Sequence, residues 1–122
     1  RVTLSEQITD AGLVHLKELT KLRVLNLIST QITDAGLEHL KGMTSLQTLL
    51  LPNQITDVGL AHLKGLTKLR ALNFQGTNIT DAGLVHLKLL TNLRTLVLYS
   101  TKITDAGVAE LQKSLPDCDI YH

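Results

Sequence analysis

Four histidines recur at matching places along the chain: His15, His39, His62 and His86. Imidazole titrates near neutrality and is the commonest metal-ligating side chain, so a row of them raises metal binding. A parallel row of carboxylates, Asp10, Asp34, Asp57, Asp81 and Asp105, could hold calcium or do acid–base work. Both rows repeat every 23 or 24 residues, and that spacing argues against a site. Neighbouring helices stand about 8–10 Å apart, which is long for two ligands on one ion. No second histidine or cysteine lies within a helical turn of any of the four. A residue present in every unit usually serves the unit. The histidines therefore read as packing or backbone-bonding groups, and the aspartates as stabilisers of positive helix ends. The chain has no nucleophile elbow, no phosphate-cradling Gly-x-x-x-x-Gly-Lys, no His-Glu-x-x-His and no paired cysteines. Cys118 stands at a leucine position of the last repeat and reads as a small core residue rather than a reactive thiol. The expectation is no catalytic residue, no metal and no cofactor: a non-catalytic protein.

Bulk properties narrow the classes further. The 122 residues suit one domain, and 43% hydrophobic with 19% charged residues describes a folded chain. A net charge of +1 gives no reason to expect nucleic acid or an anionic membrane as partner. Phe74, Tyr99 and Tyr121 are the only aromatics, so the core must be aliphatic. One cysteine excludes an internal disulfide. No apolar run approaches the ~20 residues of a membrane-spanning helix. No signal peptide is visible, although the chain starts at Arg1 rather than methionine.

The elements that must carry these rows follow from an internal repeat. Ile-Thr-Asp-Ala-Gly-Leu occurs at residues 8–13, 32–37 and 79–84, with one change at 55–60 (Val58 for Ala) and at 103–108 (Val108 for Leu). The isoleucines Ile8, Ile32, Ile55, Ile79 and Ile103 are 24, 23, 24 and 24 residues apart. A Leu-x-x-Leu-x-Leu core recurs as Leu22/Leu25/Leu27, Leu46/Leu49/Leu51, Leu69/Leu72/Phe74 and Leu93/Leu96/Leu98. A degenerate copy, Leu115/Cys118/Ile120, ends the chain, and a partial one, Val2/Leu4, begins it.

These motifs resemble the leucine-rich-repeat family over the whole chain, and more narrowly a bacterial subclass with 23/24-residue repeats opening on Ile-Thr-Asp-Ala-Gly-Leu. The resemblance implies a right-handed α/β solenoid, with a curved parallel sheet on the concave face and short helices on the convex face. It also implies a polar residue, usually Asn or Cys, after each strand that bonds backbone groups of the next turn. Here Thr30, Thr77 and Thr101 hold that place, and Asn53 is expected to hold it in the 23-residue copy.

The residues agree with that architecture on their own terms. Period-2 spacing, with Leu25 and Leu27 inward and Asn26 outward, predicts strands over 2–4, 24–27, 48–51, 71–74, 95–98 and 118–121. Thr9, Thr33, Thr56, Thr80 and Thr104 are placed as helix N-caps. Lys17, Lys41, Lys64 and Lys88 suit the negative ends. Leu13/Leu16, Leu37/Leu40, Leu60/Leu63 and Leu84/Leu87 form inward helix faces. The glycine in each first turn (Gly12, Gly36, Gly59, Gly83, Gly107) costs roughly 1 kcal/mol against alanine, and its recurrence predicts a close approach there. Residues 1–122 read as a single domain, with 108–122 as a C-terminal cap and no comparable cap at the N-terminus.

Function is sought where the repeat does not constrain the residue. Outward strand positions run Val24, Thr48, Ala71, Thr95; then Asn26, Leu50, Asn73, Val97; then Ile28, Pro52, Gln75, Tyr99. Arg23, Gln47, Arg70 and Arg94 lie beside them. The candidate partner-binding set is Arg23, Asn26, Ile28, Leu50, Arg70, Asn73, Gln75, Arg94, Val97 and Tyr99, a mixed patch edged by arginines that could also meet a phosphate or carboxylate between Arg70 and Arg94. The partner expected is a protein or peptide, with neither nucleic acid nor membrane, and the alternative is a purely structural segment of a longer array. The chain is expected to be a monomer, with its uncapped N-terminal end the place where self-association would occur.

Overall fold

The structure, a computed structural model, describes residues 2–3 and 8–122. Six parallel strands lie side by side in chain order: β1 (Val2–Thr3), β2 (Val24–Asn26), β3 (Thr48–Leu50), β4 (Ala71–Asn73), β5 (Thr95–Val97) and β6 (Asp119–Tyr121). The first five each lead through one helical segment to the next. These are α1 (Asp10–Leu13) running into a 3-10 turn at Val14–Leu16, a 3-10 helix at Asp34–Leu40, α2 (Asp57–Leu60) running into 3-10 at Ala61–Leu63, a 3-10 helix at Asp81–Leu87, and α3 (Asp105–Ser114). The result is a leucine-rich-repeat solenoid, coiled in the right-handed sense that parallel crossovers adopt. The sheet lines its concave face, and the helices, bulkier than strands, form the convex one.

The register follows the leucines. Val2, Leu25, Leu49, Leu72, Leu96 and Ile120 are direct partners along the sheet, and Thr3, Asn26, Leu50, Asn73, Val97 and Tyr121 form the next row. Strands β2 to β5 end one residue earlier than the spacing predicts, and β6 begins one residue later. Leu27, Leu51, Phe74 and Leu98 have left the ladder geometry, yet their N–H groups still donate to Leu50, Asn73, Val97 and Tyr121 of the following strand. Leu4, placed in the first strand by its sequence, lies outside the described residues.

Between the sheet and the helices runs one continuous core, from Leu13 to Cys118, of almost wholly aliphatic side chains with Phe74 and Met43 among them. The inward helix leucines are buried as their spacing predicts, except that Leu16, in the first coil, is half-buried. The 3-10 winding fits segments of seven residues, too short to reward α-helical cooperativity; only the ten-residue α3 is α-helical throughout.

The threonines after the strands are buried or nearly so, but they do not form the ladder that the resemblance implies. Each hydroxyl donates within its own turn: Thr30 to the Leu27 carbonyl, Thr77 to Phe74 and Thr101 to Leu98, at 2.7–2.8 Å. A hydroxyl is too short to bond its own turn and also span to the next coil. In the 23-residue copy the expected residue is wrong as well. Asn53 is exposed, and Gln54 instead reaches across, its Nε2 donating to the carbonyls of Thr30 and Ile32, both at 2.7 Å. The longer amide bridges the coils where the loop is one residue short.

The coils are joined on the convex side by a second polar link. The carboxylate of each aspartate of the row except the last, Asp105, accepts both the N–H and the hydroxyl of the threonine that opens the next helical segment: Asp10 with Thr33, Asp34 with Thr56, Asp57 with Thr80, Asp81 with Thr104. The N–H bonds measure 2.7–2.9 Å. The aspartates therefore do more than stabilise their own helix ends. The threonines occupy the N-cap position, but only Thr56, Thr80 and Thr104 accept a capping N–H on the hydroxyl oxygen; Thr9 and Thr33 do not.

This link explains the glycine row. A methyl group at Gly36, Gly59, Gly83 or Gly107 would collide with the carboxylate of Asp10, Asp34, Asp57 or Asp81 respectively. At Gly12 the nearest described atoms belong to Ile8, at 3.5 Å, an ordinary contact. The same substitution is expected to have opposite signs at the two kinds of site. Gly12→Ala should stabilise by up to about 1 kcal/mol through helix propensity. Gly83→Ala should destabilise by about 1–3 kcal/mol, because its methyl must displace a bonded carboxylate. Urea denaturation of the two variants checks this; equal shifts would refute the steric account.

Candidate functional site

The outward strand positions do form one surface. Asn26, Leu50, Asn73 and Val97 are successive partners across the sheet, each half-buried between its neighbours. Ile28 and Tyr99 follow the strands and are 41% and 45% exposed, large values for side chains of that size. Gln75 is exposed beside them. Pro52, placed in the same series by its sequence, is buried. The shortened loop draws it inward, so the third row is interrupted at that coil.

Two depressions mark the surface. One is shallow and apolar, about 180 Å³, lined by Thr48, Leu50, Ala71, Asn73, Thr95 and Val97 with backbone of the intervening leucines. The other, about 260 Å³, lies where the chain leaves the strands, among Ile28, Leu51, Asn53, Asn73, Gln75, Gly76 and Ser100. Asn73 borders both. Its Oδ1 accepts the Gln75 N–H at 2.9 Å, as Asn26 Oδ1 accepts that of Ile28 at 3.0 Å, which fixes each carboxamide and leaves its NH₂ to donate. The turns behind this rim need a left-handed residue, taken by Gly76 at φ 79° and by Ser29 and Ser100 at φ 66° and 58°.

Sequence spacing overlooked one aromatic. Tyr121 is the sheet partner of Val97, and its ring lies 6.4 Å from that of Tyr99 at a tilt of 46°. The degenerate last repeat hid it: the Leu115/Cys118/Ile120 spacing sets Cys118 opposite Leu96, whereas the structure pairs Ile120 with Leu96, two residues further on, and so brings Tyr121 onto the row of Val97. The arginine edge is less uniform than its sequence implies. Arg23, Arg70 and Arg94 are all exposed, but Arg94 folds back on its own loop, Nη1 donating to the carbonyls of Thr91 and Leu93 at 2.9 and 3.1 Å.

The other candidate rows are absorbed by the architecture. His39, His62 and His86 are half-buried and His15 is exposed; the Nδ1 atoms of His39 and His86 are enclosed without a hydrogen-bond partner, so the backbone bond expected of the row is not made there. Among the described residues no three His, Cys, Asp or Glu side chains converge in a metal-binding group. Cys118 is buried in the core as its position predicts. Burial, with Asp119 nearby, pushes its thiol up to about 11.

With this geometry in place, the comparison with known proteins gives the class. The pattern described as Leucine Rich repeat matches residues 18–41, 65–88 and 90–111, together more than half of the chain. The chain belongs to the leucine-rich-repeat family. No curated protein sequence matches it. Among solved structures it is similar to internalin C2 of Listeria monocytogenes, at 32% identity and a TM-score of 0.69, covering 88% of this chain and 44% of that one. It shares its fold with a leucine-rich-repeat protein of Leptospira interrogans (23% identity, TM-score 0.71, 89% and 27% covered). It shares it also with internalin F of Listeria monocytogenes (23%, 0.61, 94% and 38%). The chain spans less than half the length of each of these three.

Two expectations follow for the titratable groups. The hydroxyl of Thr104 first, and its N–H second, hold Asp81 below the ordinary carboxylate range. A carboxylate lowered by folding adds stability that is present above its unfolded value and lost as pH falls through the folded one. The urea midpoint should therefore drop between about pH 5 and pH 2, and Thr104→Val should flatten that drop; an unchanged slope would contradict the assignment. At pH 8 the Cys118 thiol should react with a disulfide reagent at the rate of global unfolding, and immediate labelling of the native protein would show that it is not enclosed.

Proposed function

We propose that this protein is a non-catalytic scaffold that binds a protein or peptide segment on its concave sheet face, and that it falls in the subclass with 23/24-residue repeats opening on Ile-Thr-Asp-Ala-Gly-Leu. The observation that carries the reading is a division of labour among the residues. Every polar side chain recurring in the Ile-Thr-Asp-Ala-Gly-Leu motif from Asp10 to Thr104 is consumed by links between coils. The residues that vary from coil to coil meet on the concave face instead, around the apolar depression at Leu50 and Val97 and the tyrosine pair Tyr99–Tyr121. Tyrosine and arginine are favoured where binding energy concentrates, and Arg23 and Arg70 edge the face. The half-buried Leu50 and Val97, on either side of Asn73, give a partner's apolar side chain somewhere to lose water, at about 25 cal/mol per Å².

The purely structural reading draws its support from the same links, which hold the array together without using the concave face at all. A selection separates the two. Peptides taken from a random linear library on the native protein should lose more than about tenfold in affinity with Leu50→Glu, Val97→Glu or Tyr99→Ala. They should be unaffected by Val58→Ser or Leu89→Ser, exposed apolar positions of the helical side. A library that yields no binder, or binders sensitive only to the helical side, speaks for the structural segment.

A further inference from the structure

The 23-residue copy is short by one residue at a definite place. Four residues separate the last inward strand residue from the next isoleucine in three coils: Leu27 to Ile32, Phe74 to Ile79 and Leu98 to Ile103. Leu51 and Ile55 are separated by three. The turn that elsewhere carries a left-handed residue, at Ser29, Gly76 and Ser100, has no counterpart there. Its backbone closes differently, with the Ile55 N–H donating to the Pro52 carbonyl at 3.4 Å, whereas in the neighbouring turns Thr30 and Thr77 donate to Leu27 and Phe74. The rim of the concave face is thus indented at one coil, and the indentation is the depression of about 260 Å³ bounded by Ile28 on one side and Gln75, Gly76 and Ser100 on the other.

What lines the notch sets the chemistry it can take. No charged side chain borders it. Its polar groups are three carboxamides, Asn53, Asn73 and Gln75, and the Ser100 hydroxyl, against an aliphatic wall of Ile28 and Leu51. The Asn73 carboxamide is fixed with its NH₂ free to donate. The Asn53 carboxamide lies close against Gly76, where a side-chain carbon would come within 3.0 Å of its Oδ1; glycine at 76 both permits the left-handed turn and keeps the notch open. An ionised group entering here would give up water with no countercharge to meet. A carboxamide would find donors and acceptors together, and the volume is several times the roughly 30 Å³ share of one water.

We propose that the notch is a specificity pocket for an uncharged amide side chain, glutamine or asparagine, of a peptide whose apolar side chain occupies the neighbouring depression. This rests on the concave-face reading and deepens it. The two depressions share Asn73, so one ligand can fill both. In an extended peptide, residues i and i+2 project to the same side about 6.8 Å apart, which sets the pattern as apolar-x-amide. A neutral sugar offers similar hydrogen bonding, but it brings no aliphatic side chain for the adjoining depression.

The test is titration of the ¹⁵N-labelled protein with acetyl-Leu-Gly-Gln-methylamide, the same peptide with Glu for Gln, and methyl glucoside, following the side-chain NH₂ signals of Asn53, Asn73 and Gln75. The glutamine peptide should move them saturably and bind about tenfold more tightly than the glutamate one. Inserting one serine between Pro52 and Asn53, which restores the 24-residue length, should abolish that preference. Gln75→Leu, an exposed change that leaves the core untouched, should weaken it should the insertion unfold the chain. Absence of saturable shifts, equal binding of both peptides, a preference unmoved by these variants, or shifts caused by the glucoside alone would each overturn the assignment. Leu50→Glu distinguishes the levels: if it weakens the peptide while the notch variants do not, the concave face stands as the binding surface and the amide pocket falls. If neither matters, both fall.

Discussion

No coil of this protein can bury its own leucines. A three-residue strand and a seven-residue helical segment present one apolar side each, and both sides face a space that only the adjoining coils can close. Everything else in the molecule answers to that constraint. The parallel register, the matching isoleucines and the single core from Leu13 to Cys118 are three views of one arrangement, in which each unit's inner surface is completed by the next. Removing a leucine such as Leu72 would expose two neighbours as well as its own coil.

The polar residues of the motif solve the problem that stacking creates. Helical segments packed side by side leave backbone N–H groups at their starts, all at the same level on the convex side. The aspartate of one coil takes the threonine N–H and hydroxyl of the next, and the glycine makes room for it. Three residue types at fixed places therefore act as one device, and none of the three is intelligible from its own coil. Gln54 does comparable work on the loop side, at the one coil where the chain is too short for its backbone to follow its neighbours.

How much of this the sequence discloses depends on whether a contact lies within a repeat or between repeats. The period, the strands and the inward leucines are legible because hydrophobic spacing is a property of one unit. The close approach at the glycines is also legible, since a costly residue kept in every copy needs a reason. The identity of what approaches is hidden, because Asp34 and Gly59 are far apart in sequence and meet only after the coils stack. The choice between Asn53 and Gln54 fails for a similar reason. Counting back from Ile55 selects one and counting forward from Leu51 selects the other, and side-chain reach decides. On the concave face, the row of Asn26, Leu50, Asn73 and Val97 follows directly from the period. The burial of Pro52 and the folding of Arg94 back onto its own loop depend on loop geometry that spacing does not encode.

The aspartate–threonine link has a direction, since each coil from Asp10 to Asp81 hands a carboxylate forward and the next receives it at its glycine, Gly36 to Gly107. A unit cut anywhere between these two features carries one half of each joint at either end, and the halves are the same in every copy. A duplicated or deleted coil therefore meets its new neighbours through a joint identical to the old one. The array can change in length by whole turns while the face that such turns display is left free to diverge, which is how a uniform backbone comes to carry a non-uniform surface.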